Sequence, residues 1–307
     1  MKNKKILITG AKGFLGSNVS KYFKSLGSYT YGIGHGEMSV DECKKNGLDD
    51  WHNSDITLES IKAIKISFDL IIHCGGSGSV GFSVEHPYKD FRKTVDGTLE
   101  VLEYMRLYNK DAYLVYPSSP AVQGGCANIK IKENYHGNPV SPYGYHKKIA
   151  EELCRSYSEK YKLKVGIIRL FSVYGEGLKK QLLWDACQKI GKAQKYAVFW
   201  GSGNETRDFI HVNDVVIIMK TLFSLNKSFI IVNGGTGKKY TINKIVTMIR
   251  DRLSPDLIVK FNGQINIGDP LYYWADTEVM QDLLKHDYID FKDGVFEYVK
   301  WCNDERK

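Results

Sequence analysis

A parallel, doubly wound α/β sheet followed by a smaller α+β lobe is the fold class predicted by these 307 residues. Three observations predict it. An apolar run at residues 6–9 breaks at once into a turn with glycines three residues apart. Short apolar runs then alternate with stretches of helical periodicity as far as Leu170. After Gly175 that rhythm changes. Strands alternating with helices imply right-handed crossovers, and these generate a parallel sheet.

Residues 6–9 give the first strand. Residues 14–26 give a helix, with Phe14, Leu15, Val19, Phe23 and Leu26 on one side. A second strand is predicted at 29–33, a helix at 58–64 and a strand at 69–73. Helix 98–107, strand 112–116, helix 145–161 and strand 165–170 follow. Helix 182–190 precedes the turn Gly201-Ser202-Gly203, and 229–232 reads as the last strand of the sheet. Helices at 242–253, 279–284 and 295–301 then mix with short strands. The expected domains are 1–171 with about 208–237, and about 172–207 with 238–307.

Charged residues at 25% and hydrophobic ones at 43% let a chain of this length bury a core without staples. The net charge of +8 comes from dispersed Lys and Arg with no nucleic-acid motif. It therefore points to a phosphate-bearing small molecule and away from nucleic acid. Six cysteines show no C-x-x-C spacing and no pairing pattern, so free thiols and no metal site are expected. The N-terminus holds no signal-peptide core, and no segment approaches the ~20 apolar residues of a membrane span. A cytoplasmic protein is expected.

Gly10-Ala11-Lys12-Gly13-Phe14-Leu15-Gly16 follows the first strand and opens the first helix. Gly10 permits the tight turn, Gly13 lets backbone approach a pyrophosphate, and Gly16 lets helix and strand pack closely. The helix start, at Phe14 and Leu15, presents free N–H groups and a positive dipole end to phosphate. This is the Rossmann-type arrangement, and a dinucleotide is its expected ligand. NAD binders end the second strand with an acid for the ribose 2′-OH. Here Tyr31-Gly32-Ile33 runs into Gly34-His35-Gly36. Lys12 and His35 are suited to a 2′-phosphate, so NADP(H) is expected, with NAD(H) the alternative. Asp55, followed by Ile56, fits two roles: accepting from the adenine amino group, or capping the helix near Thr57.

Tyr143 and Lys147 stand four apart in Ser141-Pro142-Tyr143-Gly144-Tyr145-His146-Lys147, on one face of a long helix. A nearby ammonium lowers a phenol's pKa, so Lys147 is expected to make Tyr143 a usable proton carrier.

With these motifs the sequence resembles the extended short-chain dehydrogenase/reductases, in the branch of nucleotide-sugar epimerases, dehydratases and ketoreductases. The resemblance also rests on Ser118-Ser119-Pro120-Ala121-Val122-Gln123-Gly124, Arg169-Leu170-Phe171-Ser172-Val173-Tyr174-Gly175 and Thr206-Arg207-Asp208-Phe209-Ile210-His211-Val212. It implies that Tyr143 exchanges a proton with the sugar oxygen while nicotinamide exchanges hydride with carbon. It implies further that Lys147 holds the nicotinamide ribose and that Ser119 hydrogen-bonds the reacting oxygen. Arg207 matches the arginine that pairs with the sugar diphosphate, its other reading being an ion pair with Asp208. Ser172 replaces an asparagine that contacts the sugar or diphosphate in many members.

Other departures narrow the chemistry. Pro120-Ala121 replaces the Asp-Glu pair of the 4,6-dehydratases and cannot move a proton. Asp96 stands where an asparagine is usual, Gln123 where a tyrosine is, and Gly75-Gly76 where two alanines are. A second diphosphate arginine is missing before Gly268-Asp269, and Lys179, Lys180 or Gln181 is the expected compensation. Trp184, Phe199 and Trp200 serve either a base stack or the core. The expected activity is NADPH-dependent reduction of a nucleotide-activated keto-sugar, typically a 4-keto-6-deoxyhexose, for surface-glycan precursors. The alternative is a 4-epimerase or dehydrogenase using NAD. A homodimer is expected through helices 98–107 and 145–161.

Overall fold

A computed structural model of the protein describes residues 1–125, 128–264 and 271–305. Its elements run β1 Lys5–Thr9, α1 Phe14–Ser25, β2 Tyr29–Gly34, α2 Val40–Lys45, β3 Asp50–Asn53, α3 Leu58–Ala63 and β4 Leu70–His73. Next come α4 Val80–Glu85, α5 Pro87–Phe91, a π turn Arg92–Asp96, α6 Gly97–Tyr108, β5 Tyr113–Ser118 and a 3₁₀ turn Pro120–Gln123. Then follow α7 Pro142–Tyr161, β6 Lys164–Leu170, β7 Ser172–Tyr174, α8 Gln181–Lys192, β8 Tyr196–Phe199, β9 Thr206–Arg207 and β10 Phe209–His211. The chain continues through α9 Val212–Leu225, β11 Phe229–Gly234, β12 Tyr240–Thr241, α10 Ile242–Leu253, β13 Ile258–Phe261, α11 Glu278–Leu283 and α12 Phe291–Asp304. Two compact units result, one of Met1–Gly124, His136–Arg169 and Val216–Val232, the other of Gly125–Tyr135, Leu170–Val215 and Asn233–Lys307.

The first unit carries the expected sheet. Its order is β11-β6-β5-β4-β1-β2-β3, and each pairing from β3 across to β6 is parallel. Alternate residues face opposite sides, so β1 sends Leu7 into a core with α6 and α7 residues such as Val101, Met105, Ala150 and Cys154. On the other side Tyr113 of β5 meets Phe223 of α9 edge-on. The chain grows outward in one direction from β1 and in the other from β4. Ligands of open α/β sheets bind beyond the strand C-termini at such a switch point. Thr9, at the end of β1, bonds the buried His73 at the end of β4 through its hydroxyl, at 2.7 Å.

The second unit gathers short strand pairs and helices, among them β7 with β10 and β8 with β13. Residues 125–135, expected in the first domain, belong here. Ile131 is fully buried and bridges Ala275, and its carbonyl accepts from Asn233 at 2.7 Å. Residues 208–215, also expected in the first domain, belong here too. The buried Asp208 carboxylate accepts from Thr236, Gly237 and Ala275 at 2.8–3.0 Å, which holds this stretch to its own unit.

Candidate active site

The glycine turn is built as its spacing predicts. Gly10 takes φ +65°, and a Cβ there would lie 2.9 Å from the backbone of Cys74 and Gly75 after β4. A Cβ on Gly16 would lie 2.4 Å from the Gly10 carbonyl oxygen. The turn is closed by Gly10 N–H to Ile33 O at 2.7 Å and by Gly13 N–H to Gly10 O at 2.9 Å. Gly13 then caps α1 with no side chain of its own over the helix start, and no acid lies in the first turn. Phe14 and Leu15 begin that helix. This cradle fits a dinucleotide pyrophosphate: backbone N–H groups face it, and side chains are excluded where it must approach. Gly16→Ala is therefore expected to push backbone against backbone. Thermal unfolding should show a loss of about 1–3 kcal/mol, together with weakened dinucleotide binding.

At the end of β2 the residues meet, with corrections. Lys12 Nζ donates to the Glu37 carbonyl at 2.8 Å and lies beside Gly36, so its ammonium is held over the loop after β2. Gly34 is hemmed in, because a Cβ there would meet the Trp51 ring at 3.2 Å. His35 and Asp55 pair with each other at 3.2 Å, both well exposed. Asp55 is not the helix cap. Thr57 caps α3 in a reciprocal pair with Ser60, leaving the Asp55 carboxylate outside the helix. Ile56 reaches over Gly75 and fills the space where a methyl would stand.

Ser119, Tyr143 and Lys147 come together. Ser141 caps α7 and Pro142 sits in its first turn, so Tyr143 rides the helix start. The Tyr143 N–H donates to Ser83 Oγ of α4 at 3.0 Å. Gly144 lets the helix close on the 3₁₀ turn, since a Cβ there would meet the Ala121 carbonyl at 2.5 Å. That approach sets the turn carrying Ser119 against the helix start that carries Tyr143. Ser119 Oγ accepts from the Ala121 N–H at 3.2 Å. Lys147, one turn on, is buried; its Nζ donates to the Pro117 carbonyl at 2.9 Å and lies 4.7 Å from the centre of the Tyr116 ring.

The electrostatics differ from expectation. Burial pushes the Tyr143 phenol up to about 12; Ser119 pulls it down and the Asp90 carboxylate adds to the rise. Burial brings Lys147 down to about 8. The Lys147 ammonium is turned to the Pro117 carbonyl. Asp90 on α5 is wholly buried and pairs with His146 at 2.5 Å. No motif pointed to Asp90, and His146 is visible in the sequence only as the residue before Lys147.

The second unit holds the remaining residues. Ser172 heads β7, and its N–H donates to the Asp208 carbonyl at 2.9 Å. Lys180 and Gln181 are exposed at the start of α8, Gln181 with φ +67°. Lys179 is engaged with Glu305. Arg207 is partly buried in β9 and donates to the Thr206 carbonyl at 3.0 Å. Phe199 is core, packed on Phe261, and Trp184 packs on Trp301, whereas Trp200 is half exposed. The stretch expected to lack the second arginine lies outside the described residues. Among the described residues no helix is long and apolar enough to cross a membrane.

Residues 6–233 match the model of the NAD-dependent epimerase/dehydratase family. The chain belongs to that family. A Methanocaldococcus jannaschii protein named "Putative UDP-glucose 4-epimerase" is 30% identical over 98% of this chain and 99% of its own length. The UDP-glucuronate 4-epimerase of Thermodesulfobacterium geofontis is 26% identical over 97% of this chain and 96% of its own. Among solved structures, the UDP-N-acetylglucosamine 4-epimerase of Methanobrevibacter ruminantium superposes with a TM-score of 0.88 at 24% identity, covering 99% of this chain and 100% of that one. The UDP-glucuronic acid 4-epimerase of Bacillus cereus, solved with UDP-glucuronic acid and NAD, gives 0.87 at 22% over 98% and 99%. These likenesses carry the fold. As a member of the extended short-chain dehydrogenase/reductases, this family protein is an NAD(P)-dependent enzyme.

Proposed function

We propose that this enzyme inverts C4 of a UDP-activated hexose or hexuronic acid, using NAD(H). The observation that carries the reading is the Tyr143 phenol at the start of α7, packed against the turn that carries Ser119, with Lys147 one helical turn away. Likeness along nearly the whole chain to proteins named as UDP-sugar 4-epimerases supports the choice of reaction. Pro120-Ala121 offers no acid or base for dehydration. A dinucleotide held in the glycine cradle would supply the hydride acceptor and donor for C4. Gly10, Gly13 and Gly16 with the start of α1 would hold the pyrophosphate, Asp55 and Ile56 the adenine end, and Lys147 the nicotinamide ribose. The Tyr143 hydroxyl returns its proton to the keto oxygen of the sugar, and Ser119 orients that oxygen. As the alcohol is oxidised in the opposite half, the Tyr143 oxygen takes the hydroxyl proton.

Arg207, with Ser172, Lys180 and Gln181, is proposed to hold the sugar diphosphate. Arg207→Ala should raise KM for the UDP sugar by an amount worth about 1.5–3 kcal/mol while leaving cofactor affinity unchanged. An equal loss for the cofactor would place Arg207 on the wrong ligand. NADPH-dependent reduction of a nucleotide 4-keto-6-deoxyhexose is the second reading. It is favoured by the absence of an acid at Gly34 and by the ammonium of Lys12 over the loop that follows. One experiment separates them. Nucleotide released by acid from purified protein is identified, and turnover is assayed on UDP-glucose, UDP-glucuronate and UDP-N-acetylglucosamine. Released NAD with C4 inversion is the expected result. NADPH oxidation on keto-sugars without inversion would overturn the epimerase. A homodimer through α6 and α7 is proposed as well; both helices expose apolar side chains, including Leu107 and Ile149.

A further inference from the structure

Asp90 and His146 form a pair that the epimerase chemistry does not require. Asp90 is fully buried; its Oδ2 meets His146 Nδ1 at 2.5 Å, and its Oδ1 has no hydrogen-bond partner. Taking a carboxylate out of water without a full set of partners costs several kcal/mol by general estimate (~2–7 for even a neutral polar group). A fold that keeps such a group gains something from its charge or its geometry. His146 lies one turn after Tyr143 on α7 and immediately before Lys147. The Phe91 ring, on α5, packs edge-on against its imidazole at 5.3 Å.

The other ionisable groups on the elements packed here are committed or exposed. In the π turn Arg92 pairs with Asp96 and Lys93 lies over the Phe82 ring. On α4 and α5, Glu85 and Lys89 are exposed, and His86 packs edge-on against Phe82. On α7, Glu151 is paired with Arg169, Lys147 with the Pro117 carbonyl, and Lys148 is exposed. Asp90 is therefore the acidic group whose field acts on the Tyr143 oxygen, and it acts on Lys147 too.

We propose that the Asp90–His146 pair is a positioning device for the proton carrier. It fixes the first turn of α7 and sets the charge behind the Tyr143 phenol. A carboxylate behind the phenol keeps the proton on it, favouring donation to a keto oxygen. His146 is the partner that fixes where the Asp90 carboxylate stands. This rests on the reading of Tyr143 as the proton carrier.

The test measures Tyr143 ionisation directly in the NAD-loaded protein. Tyrosine labelled with ¹³C at Cζ is followed by NMR against pH, and Tyr143→Phe assigns the resonance. Asp90→Asn, which is isosteric and uncharged, should lower the midpoint by about half to one pH unit. His146→Gln, which removes the imidazole and leaves the Asp90 carboxylate in place, should hold the midpoint at or above the wild-type value. The limb of the pH–turnover profile governed by the phenol should move in the same directions. Midpoints that coincide in Asp90→Asn and wild type would overturn the proposal. So would losses of activity in both variants with no movement of the midpoint, which a purely packing role would give. Should His146→Gln not fold, Asp90→Asn decides the matter alone. A protein inactive on every UDP sugar would sink the epimerase reading while the NMR midpoint still judged this one.

Discussion

Tyr143→Phe is expected to lose roughly 10²–10⁴-fold in turnover while keeping its bound dinucleotide. The hydroxyl is the proposed proton carrier, set at the start of α7 one turn from Lys147. The ring remains after substitution, and with it the packing of the first turn of α7. Stability and nucleotide content should therefore stay at wild-type levels, and kcat should fall with little change in KM. The measurement is a steady-state assay on the best UDP sugar, run beside acid release of the nucleotide. Turnover within a few-fold of wild type would remove Tyr143 from the proton path. Loss of the nucleotide along with activity would show that the substitution had damaged the cradle rather than the chemistry.

The largest expected effect on stability belongs to Arg169. Its guanidinium meets the Glu151 carboxylate in two hydrogen bonds, at 3.0 and 2.8 Å, with both residues buried. The pair ties β6 to α7 one turn beyond Lys147. Arg169→Met leaves a buried carboxylate without its cation, and the expected cost is about 3–5 kcal/mol in chemical denaturation. The charge balance, rather than the attraction alone, is what matters. Arg169→Met combined with Glu151→Leu should therefore recover most of the loss. Failure of the double variant to recover would mean that the two side chains act independently.

Much of the first unit was legible because its strands are short apolar runs bounded by glycine or polar turns. Helix 14–26 ends one residue earlier than its periodicity predicts, and helix 242–253 matches residue for residue. The α4–α5 stretch was not seen, since Val80–Phe91 is broken by Pro87 and carries no apolar stripe long enough to read. The catalytic spacing was visible, but the charges acting on it were not. Asp90 reaches His146 across 56 positions, and Thr9 reaches His73 across 64. Such pairs follow from strand order and helix packing, which no local pattern encodes. The same holds for Lys147, whose expected influence on the phenol depended on which acceptor its ammonium would face. The placement of residues 125–135 rests on contacts far along the chain, of Ile131 with Ala275 and with Asn233.

The turn after β1 rests directly on the backbone that leaves β4, with no side chain interposed at Gly10. Two loops from different strands are thereby fused into one rail, each holding the other in shape before any nucleotide arrives. A ligand entering along that rail has little chain left to order. Its affinity is then set by the contacts it makes and little diminished by lost backbone freedom, which is how preorganisation converts a modest number of hydrogen bonds into tight retention. In the proposed epimerase cycle, which would reuse one nucleotide through both halves, such a rigid seat favours slow release over fast exchange.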